Sequence, residues 1–158
     1  MTQIRRILLV EDSAKDIELT MAALEEHNLA NEVVVARDGV EALDYLYRRG
    51  KFADRTDDIP CVVFLDLKMP RMNGLEVLAA LKADPNLRGI PVVMVTSSRE
   101  EPDLIKSYQL GVNAYVVKPV NFQQFMDAMK ALGFFWAVVN ELPPRIAVVE
   151  ADKKSAGK

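Results

Sequence analysis

Five short apolar runs, each followed by a stretch with helical spacing, constrain the fold of this chain more than any other feature. The runs are residues 7–10, 32–36, 61–65, 91–95 and 114–117. The third, Cys61-Val62-Val63-Phe64-Leu65, is apolar throughout and bounded by Pro60 and Pro70, as expected of a strand covered on both faces of a parallel sheet. After the first run, Ser13 can cap a helix with Asp16 as capping-box partner, and Ile17, Thr20, Met21 and Leu24 form its inward stripe until about His27 and Asn28. Asp38 and Glu41 form a second capping box ahead of Val40, Leu43, Leu46 and Tyr47. Asn73-Gly74 reads as a turn pair before a helix carrying Leu75, Leu78 and Leu81, which stops at Asp84-Pro85 because a residue before proline avoids the helical region. Pro102 suits the first turn of a fourth helix and Gly111 the position after its end. Asn121 caps a fifth running to about Asn140, closed by Pro143-Pro144. The connection over residues 50–60 is polar and long for such a fold, either a partner-facing loop or a tolerated insertion, the second being preferred.

Strand and crossover helix repeated five times give a parallel α/β sheet with right-handed connections. The expected architecture is a doubly wound, flavodoxin-like sheet of order 2-1-3-4-5 with five helices, whose switch point lies between strands one and three. Residues 1–142 form this domain and residues 143–158 a C-terminal extension with a disordered tail. The formal net charge of −3 offers no field for phosphate backbones, so nucleic acid is not an expected partner. The single cysteine, Cys61, suits a reducing compartment. The longest apolar run, residues 131–139, is far short of the roughly 20 residues a membrane span needs. A cytoplasmic protein without a membrane partner is expected.

The strand ends carry the chemistry. Glu11 and Asp12 follow strand one, Asp66 ends strand three, Thr96 ends strand four and Lys118 ends strand five, all on the sheet edge where open α/β folds collect ligands. Carboxylates crowded into one crevice repel one another unless a cation intervenes, and a hard ion such as Mg²⁺ takes one or two carboxylates, a carbonyl and waters. With Mg²⁺ held by Asp12 and one oxygen of Asp66, the other Asp66 oxygen is free to attack phosphorus. Lys118 supplies a mobile positive charge and Thr96 a hydroxyl donor for the phosphoryl oxygens. Each residue alone has a plainer reading. Asp12 is then a helix cap, Asp66 a solvated strand end, Thr96 a β-branched strand residue, Lys118 an exposed lysine before a turn and Tyr115 a packed aromatic. Their convergence on one edge is what those readings fail to explain. Met69, Met72, Met94, Met126 and Met129 read as packing.

The segments Val10-Glu11-Asp12, Phe64-Leu65-Asp66-Leu67-Lys68-Met69-Pro70-Arg71-Met72-Asn73-Gly74, Val95-Thr96-Ser97-Ser98 and Tyr115-Val116-Val117-Lys118-Pro119 resemble the receiver domain of two-component response regulators, over roughly residues 5–140. The resemblance implies phosphorylation of Asp66 by the phosphohistidine of a sensor histidine kinase, and Mg²⁺ bound by Glu11, Asp12, Asp66 and the Lys68 backbone carbonyl. It also implies a cis Lys118-Pro119 bond, and a switch in which Thr96 moves toward the phosphoryl group while Tyr115 turns inward. Such a domain is a phosphoacceptor that assists only its own phosphorylation and dephosphorylation, not an enzyme acting on others.

The long connection before strand three, Ser107-Tyr108, and the stretch from Leu132 to Pro144 look like the stand-alone regulators that accompany bacterial phytochromes, whose final helix supports homodimers. From the residues alone, the end of the fifth helix is apolar all round, more than one buried face requires. Phe134, Phe135, Trp136 and Val138 are therefore candidates for a dimer surface, with a simple packed helix end as the alternative. Two other functions compete. An Asp-dependent phosphatase of the haloacid-dehalogenase type needs a second acid two residues after its aspartate, where this chain has Lys68. A flavodoxin-like cofactor binder needs a phosphate cradle after strand one, where Glu11-Asp12 repel phosphate.

Overall fold

A computed structural model of the chain describes residues 6–119 and 121–141. The strands are β1 (Ile7–Val10), β2 (Val33–Ala36), β3 (Val62–Leu65), β4 (Val92–Thr96) and β5 (Ala114–Val117). The helices are α1 (Ala14–Glu25), α2 (Gly39–Tyr47), α3 (Gly74–Ala83), α4 (Glu101–Gln109) and α5 (Phe122–Phe134). All strand pairs are parallel, in the order β2-β1-β3-β4-β5. The expected doubly wound order is the observed one.

Period-two alternation on the central strands sorts the core into two layers. Leu8, Val10, Val63, Leu65 and Met94 point to the face covered by α2 and α3, meeting Leu43, Leu46, Val77, Leu78 and Leu81. Ile7, Leu9, Phe64, Val93 and Val95 point to the other face, meeting Leu24 of α1 and Phe125, Met126 and Met129 of α5. Strands β1, β3 and β4 are buried along their whole length, while the edge strand β5 is only half-buried. This explains why the central runs carry no polar residue.

The helix ends follow the capping residues closely, with instructive departures. Ser13 Oγ accepts from Asp16 N–H at 3.2 Å, but the box is not reciprocal, because the Ser13 N–H donates to Glu11 Oε2. Asp38 accepts from Glu41 N–H at 2.8 Å, whereas Glu41 reaches back to the N–H of Arg37. Asn73 is not a turn residue but the cap of α3, and Gly74 is its first helical residue. The C-terminus of α4 ends in Gly111 at φ +95°, with Gly111 N–H on Tyr108 O and Val112 N–H on Ser107 O, the two bonds of a glycine-closed helix end.

Residues 50–60 are anchored to the domain by their own side chains. Arg55 lies 4.1 Å over the Tyr45 ring and donates to the carbonyls of Tyr45, Asp57 and Asp58. Asp57 in turn pairs with Arg6 at 3.0 Å and accepts from the Tyr45 hydroxyl. A buried guanidinium satisfied in this way pins the segment to the end of α2. After α5 the chain widens into a π turn, Phe135–Val139. Phe134, Phe135 and Val138 are exposed there, while Trp136 packs partly onto the α1–α5 layer. The Pro143-Pro144 stop and the extension over residues 143–158 lie outside the described residues.

The loop from Asp66 to α3 leaves no room at Gly74. Its N–H donates to Leu67 O at 2.8 Å, and a Cβ there would stand 2.3 Å from the Asp66 carbonyl oxygen. Gly74→Ala therefore forces α3 away from the strand end and is expected to cost about 2 kcal/mol in urea unfolding. An unchanged unfolding midpoint contradicts that close approach.

Candidate functional site

The sheet's own ladder holds the site residues. Glu11 N–H donates to Ala36 O at 2.9 Å, Asp66 N–H to Val10 O at 3.0 Å and Lys118 N–H to Thr96 O at 2.7 Å. Each side chain thus sits one residue past a strand, on backbone that cannot drift. Glu11 and Asp66 are buried and Asp12 is exposed. Carboxylate oxygens of Glu11, Asp12 and Asp66 all lie within 4.8 Å of one another.

Lys118 enters this notch from β5. Its ammonium hydrogen-bonds Glu11 Oε1 and, at 2.8 Å, Asp16 Oδ2, and stands 3.8 Å from Asp66 Oδ2. Asp66 Oδ1 accepts from the Leu67 N–H at 2.8 Å. Burial pushes the Glu11 carboxyl up to about 7, outweighing the hydrogen bond and charge of Lys118 that pull it down. Burial works against the Lys118 ammonium, yet its bonds to Asp16 and Glu11 win and hold it above its usual range. The notch is thus a site where negative charge exceeds what one lysine neutralises.

The residues fit a hard divalent cation. All three donors are carboxylates, the hard oxygen ligands such an ion takes, and they converge from two neighbouring strand ends. Asp12 leaves one side open to water. Lys68 is exposed in the loop between Asp66 and α3.

Thr96 ends β4 on the same edge, fully buried, its hydroxyl oxygen accepting from the Ser98 N–H at 3.2 Å. Tyr115 lies further back on β5, opposite Met94, and its hydroxyl donates to the Ser98 carbonyl at 3.0 Å. Ser98 Oγ donates to Asp103 in α4 at 2.6 Å. Both expected switch residues therefore meet at one loop residue, Ser98. One expectation is corrected: among the described residues no peptide bond is cis, so Lys118-Pro119 is trans. A trans X–Pro bond is intrinsically favoured by about 0.5–1 kcal/mol. Here Lys118 keeps its N–H in the β4 ladder and its ammonium on Glu11 and Asp16 with the bond trans. Asp16 is a site residue that the helix-cap reading of the sequence missed. The available signal was its place in the first turn of the helix that follows strand one, at the sheet edge where the strand-end residues gather.

The model of the response regulator receiver domain matches residues 7–130. The chain belongs to the response regulator receiver family. Response regulator Rcp1 of Synechocystis sp. is 37% identical over 137 residues, covering 87% of this chain and 92% of Rcp1. Its structure in a Mn²⁺-bound form aligns with a TM-score of 0.81, 36% identity, and 89% and 99% of the two chains. The phosphorylated cyanobacterial phytochrome response regulator RcpA aligns with a TM-score of 0.83 and 40% identity, over 90% of this chain and all of RcpA. The bacteriophytochrome response regulator AtBRR is 61% identical, TM-score 0.70, over 89% of this chain and all of its own. The receiver domain is a two-component response regulator, and the phosphatase and flavodoxin-like readings give way. Among the described residues no helix is long and apolar enough to cross a membrane.

Proposed function

We propose that Asp66 accepts a phosphoryl group from the phosphohistidine of a sensor histidine kinase, with Mg²⁺ held by Glu11, Asp12, Asp66 and the Lys68 backbone carbonyl. A carboxylate oxygen of Asp66 forms the new O–P bond as the P–N bond to the imidazole breaks, and the imidazole leaves with the electron pair. Bound Mg²⁺ supplies charge neutralisation for the phosphoryl oxygens. Lys118 then trades its carboxylate partners for a phosphoryl oxygen, and the Thr96 hydroxyl donates to another. The observation that carries this reading is the convergence of the Glu11, Asp12 and Asp66 oxygens beside the Lys118 ammonium. The test is uptake of label from a small phosphodonor such as phosphoramidate. Acid-stable, hydroxylamine-sensitive label in Mg²⁺ and none in excess chelator supports it; uptake indifferent to Mg²⁺ opposes it.

Output follows from Ser98. When the Thr96 hydroxyl turns to the phosphoryl group it releases the Ser98 N–H, and the loop that anchors the Tyr115 hydroxyl shifts. The face of α4, β5 and α5 around Tyr115 carries the change to a protein partner. The sensor kinase in this reading is a bacteriophytochrome and the compartment the cytoplasm; similarity to a cyanobacterial phytochrome response regulator and a bacteriophytochrome response regulator supports the choice of kinase. Residues 1–142 act as the receiver domain.

The exposed Phe134, Phe135 and Val138, with Trp136 beside them, serve as a homodimer surface. Phe135→Asp puts a charge in the middle of that surface. In light scattering after size exclusion, dimer is expected for the wild type and a shift of at least roughly tenfold in dissociation constant for Phe135→Asp. A wild type that stays monomeric at high concentration, phosphorylated or not, removes the dimer.

A further inference from the structure

We infer that Asp16 is a positioning residue for the metal notch: it draws the Lys118 ammonium toward α1 and keeps its 3.8 Å approach to Asp66 from closing into a hydrogen bond, so that Asp66 stays available to the cation. The inference rests on the site reading above. Three carboxylates compete for that ammonium, and the distances rank them. Glu11 and Asp16, the latter at 2.8 Å, are hydrogen-bond partners, while Asp66 at 3.8 Å is not. Asp16 is the one of the three outside the Glu11, Asp12 and Asp66 trio. Its place is set by the chain, because its N–H is capped by Ser13 Oγ in the first turn of α1. The other Glu11 oxygen is tied to the Ser13 N–H, so Glu11 has little freedom to follow the ammonium.

Without the Asp16 carboxylate, the nearest acceptors left to Lys118 are Glu11 and Asp66. An ammonium shared by these two is in direct competition with a divalent cation. Asp16 therefore raises metal affinity through Lys118, by removing a competitor. A plain through-space contribution of its negative charge predicts the same sign, and only the dependence on Lys118 separates the two.

The experiment is a double-mutant cycle read by calorimetric titration with Mg²⁺ alone, using wild type, Asp16→Asn, Lys118→Ala and the double variant. Asp16→Asn keeps the backbone cap, because Ser13 accepts from the main-chain N–H, and circular dichroism checks the fold. Asp16→Asn is expected to weaken Mg²⁺ about fivefold, and the same change in the Lys118→Ala background to weaken it less than about twofold. In the metal-free protein, the ¹H–¹⁵N signal of the Lys118 ammonium is expected to move in Asp16→Asn. Equal weakening in both backgrounds, no weakening in either, or an unmoved ammonium signal overturns the inference. A wild type that binds no Mg²⁺ at all sinks instead the site reading on which it rests.

Discussion

Asp66→Asn abolishes phosphoryl uptake while leaving the fold in place. Asparagine matches aspartate in shape, so its side-chain oxygen still accepts the Leu67 N–H that Asp66 Oδ1 takes at 2.8 Å. The backbone of residue 66 stays in the β1 ladder through Val10 O. Stability is expected within about 1 kcal/mol of the wild type, since the change also removes one charge from an acid-crowded notch. What disappears is the nucleophile. A neutral amide oxygen has neither the charge to attack phosphorus nor the charge to hold the cation, and uptake from phosphoramidate in Mg²⁺ is expected to fall at least roughly a thousandfold. Mass spectrometry of the intact protein reads this directly. Retained uptake in a folded Asp66→Asn variant points to a different acceptor.

Lys118→Ala has two separable consequences. The ammonium is nearly buried, with a side chain 11% exposed, and serves Glu11 and Asp16 at once. Removing one partner of a buried pair usually costs several kcal/mol. Here Asp16 is partly open to water, and Glu11, already raised to about 7, can take up a proton instead. The loss in the metal-free protein is therefore expected near about 2 kcal/mol in urea unfolding, and saturating Mg²⁺ is expected to recover most of it by supplying the missing positive charge. The second consequence is functional. Phosphorylated Lys118→Ala has no ammonium to hold the phosphoryl group where the Thr96 hydroxyl reaches it, so Thr96 keeps the Ser98 N–H and the loop that anchors Tyr115 does not shift. Amide shifts around Ser98 and Tyr115 that change on phosphorylation in the wild type are expected to stay still in the variant. Wild-type shifts in Lys118→Ala contradict the assigned role.

The fold was legible because the physical signals are strong and local. Apolar central runs, Ser13, Asp38 and Asn121 at helix starts, and Gly111 at a helix end each impose a boundary through burial, one hydrogen bond or one backbone angle. The misplacements are where a residue had two plausible partners. Asn73-Gly74 could close a turn or open a helix, and the Gly74 contact with Asp66 decides for the helix. Glu41 could return to residue 38 or to residue 37, a choice set by loop geometry that spacing does not carry. The anchoring of residues 50–60 was not legible, because stacking of Arg55 on Tyr45 joins positions ten apart with no pattern in between.

The site was legible for a related reason. In a parallel sheet all strand ends meet at one edge, so naming the residue after each strand assembles the site. That logic reaches Glu11, Asp12, Asp66, Thr96 and Lys118. It does not reach Asp16, which comes from a helix, nor the Ser98 junction, which comes from a loop. Nor did the resemblance carry over the peptide geometry at Pro119.

The most direct single measurement is location of the phosphoryl group in the wild-type protein. After brief exposure to phosphoramidate and Mg²⁺, reduction of the acyl phosphate with borohydride converts the modified aspartate to homoserine, which peptide mass spectrometry places in the sequence. Conversion at Asp66, and only when Mg²⁺ is present, is the expected result. Conversion at Glu11, Asp12 or another carboxylate, or none at all under conditions where the protein is folded and binds Mg²⁺, contradicts a phosphoacceptor at the tip of β3.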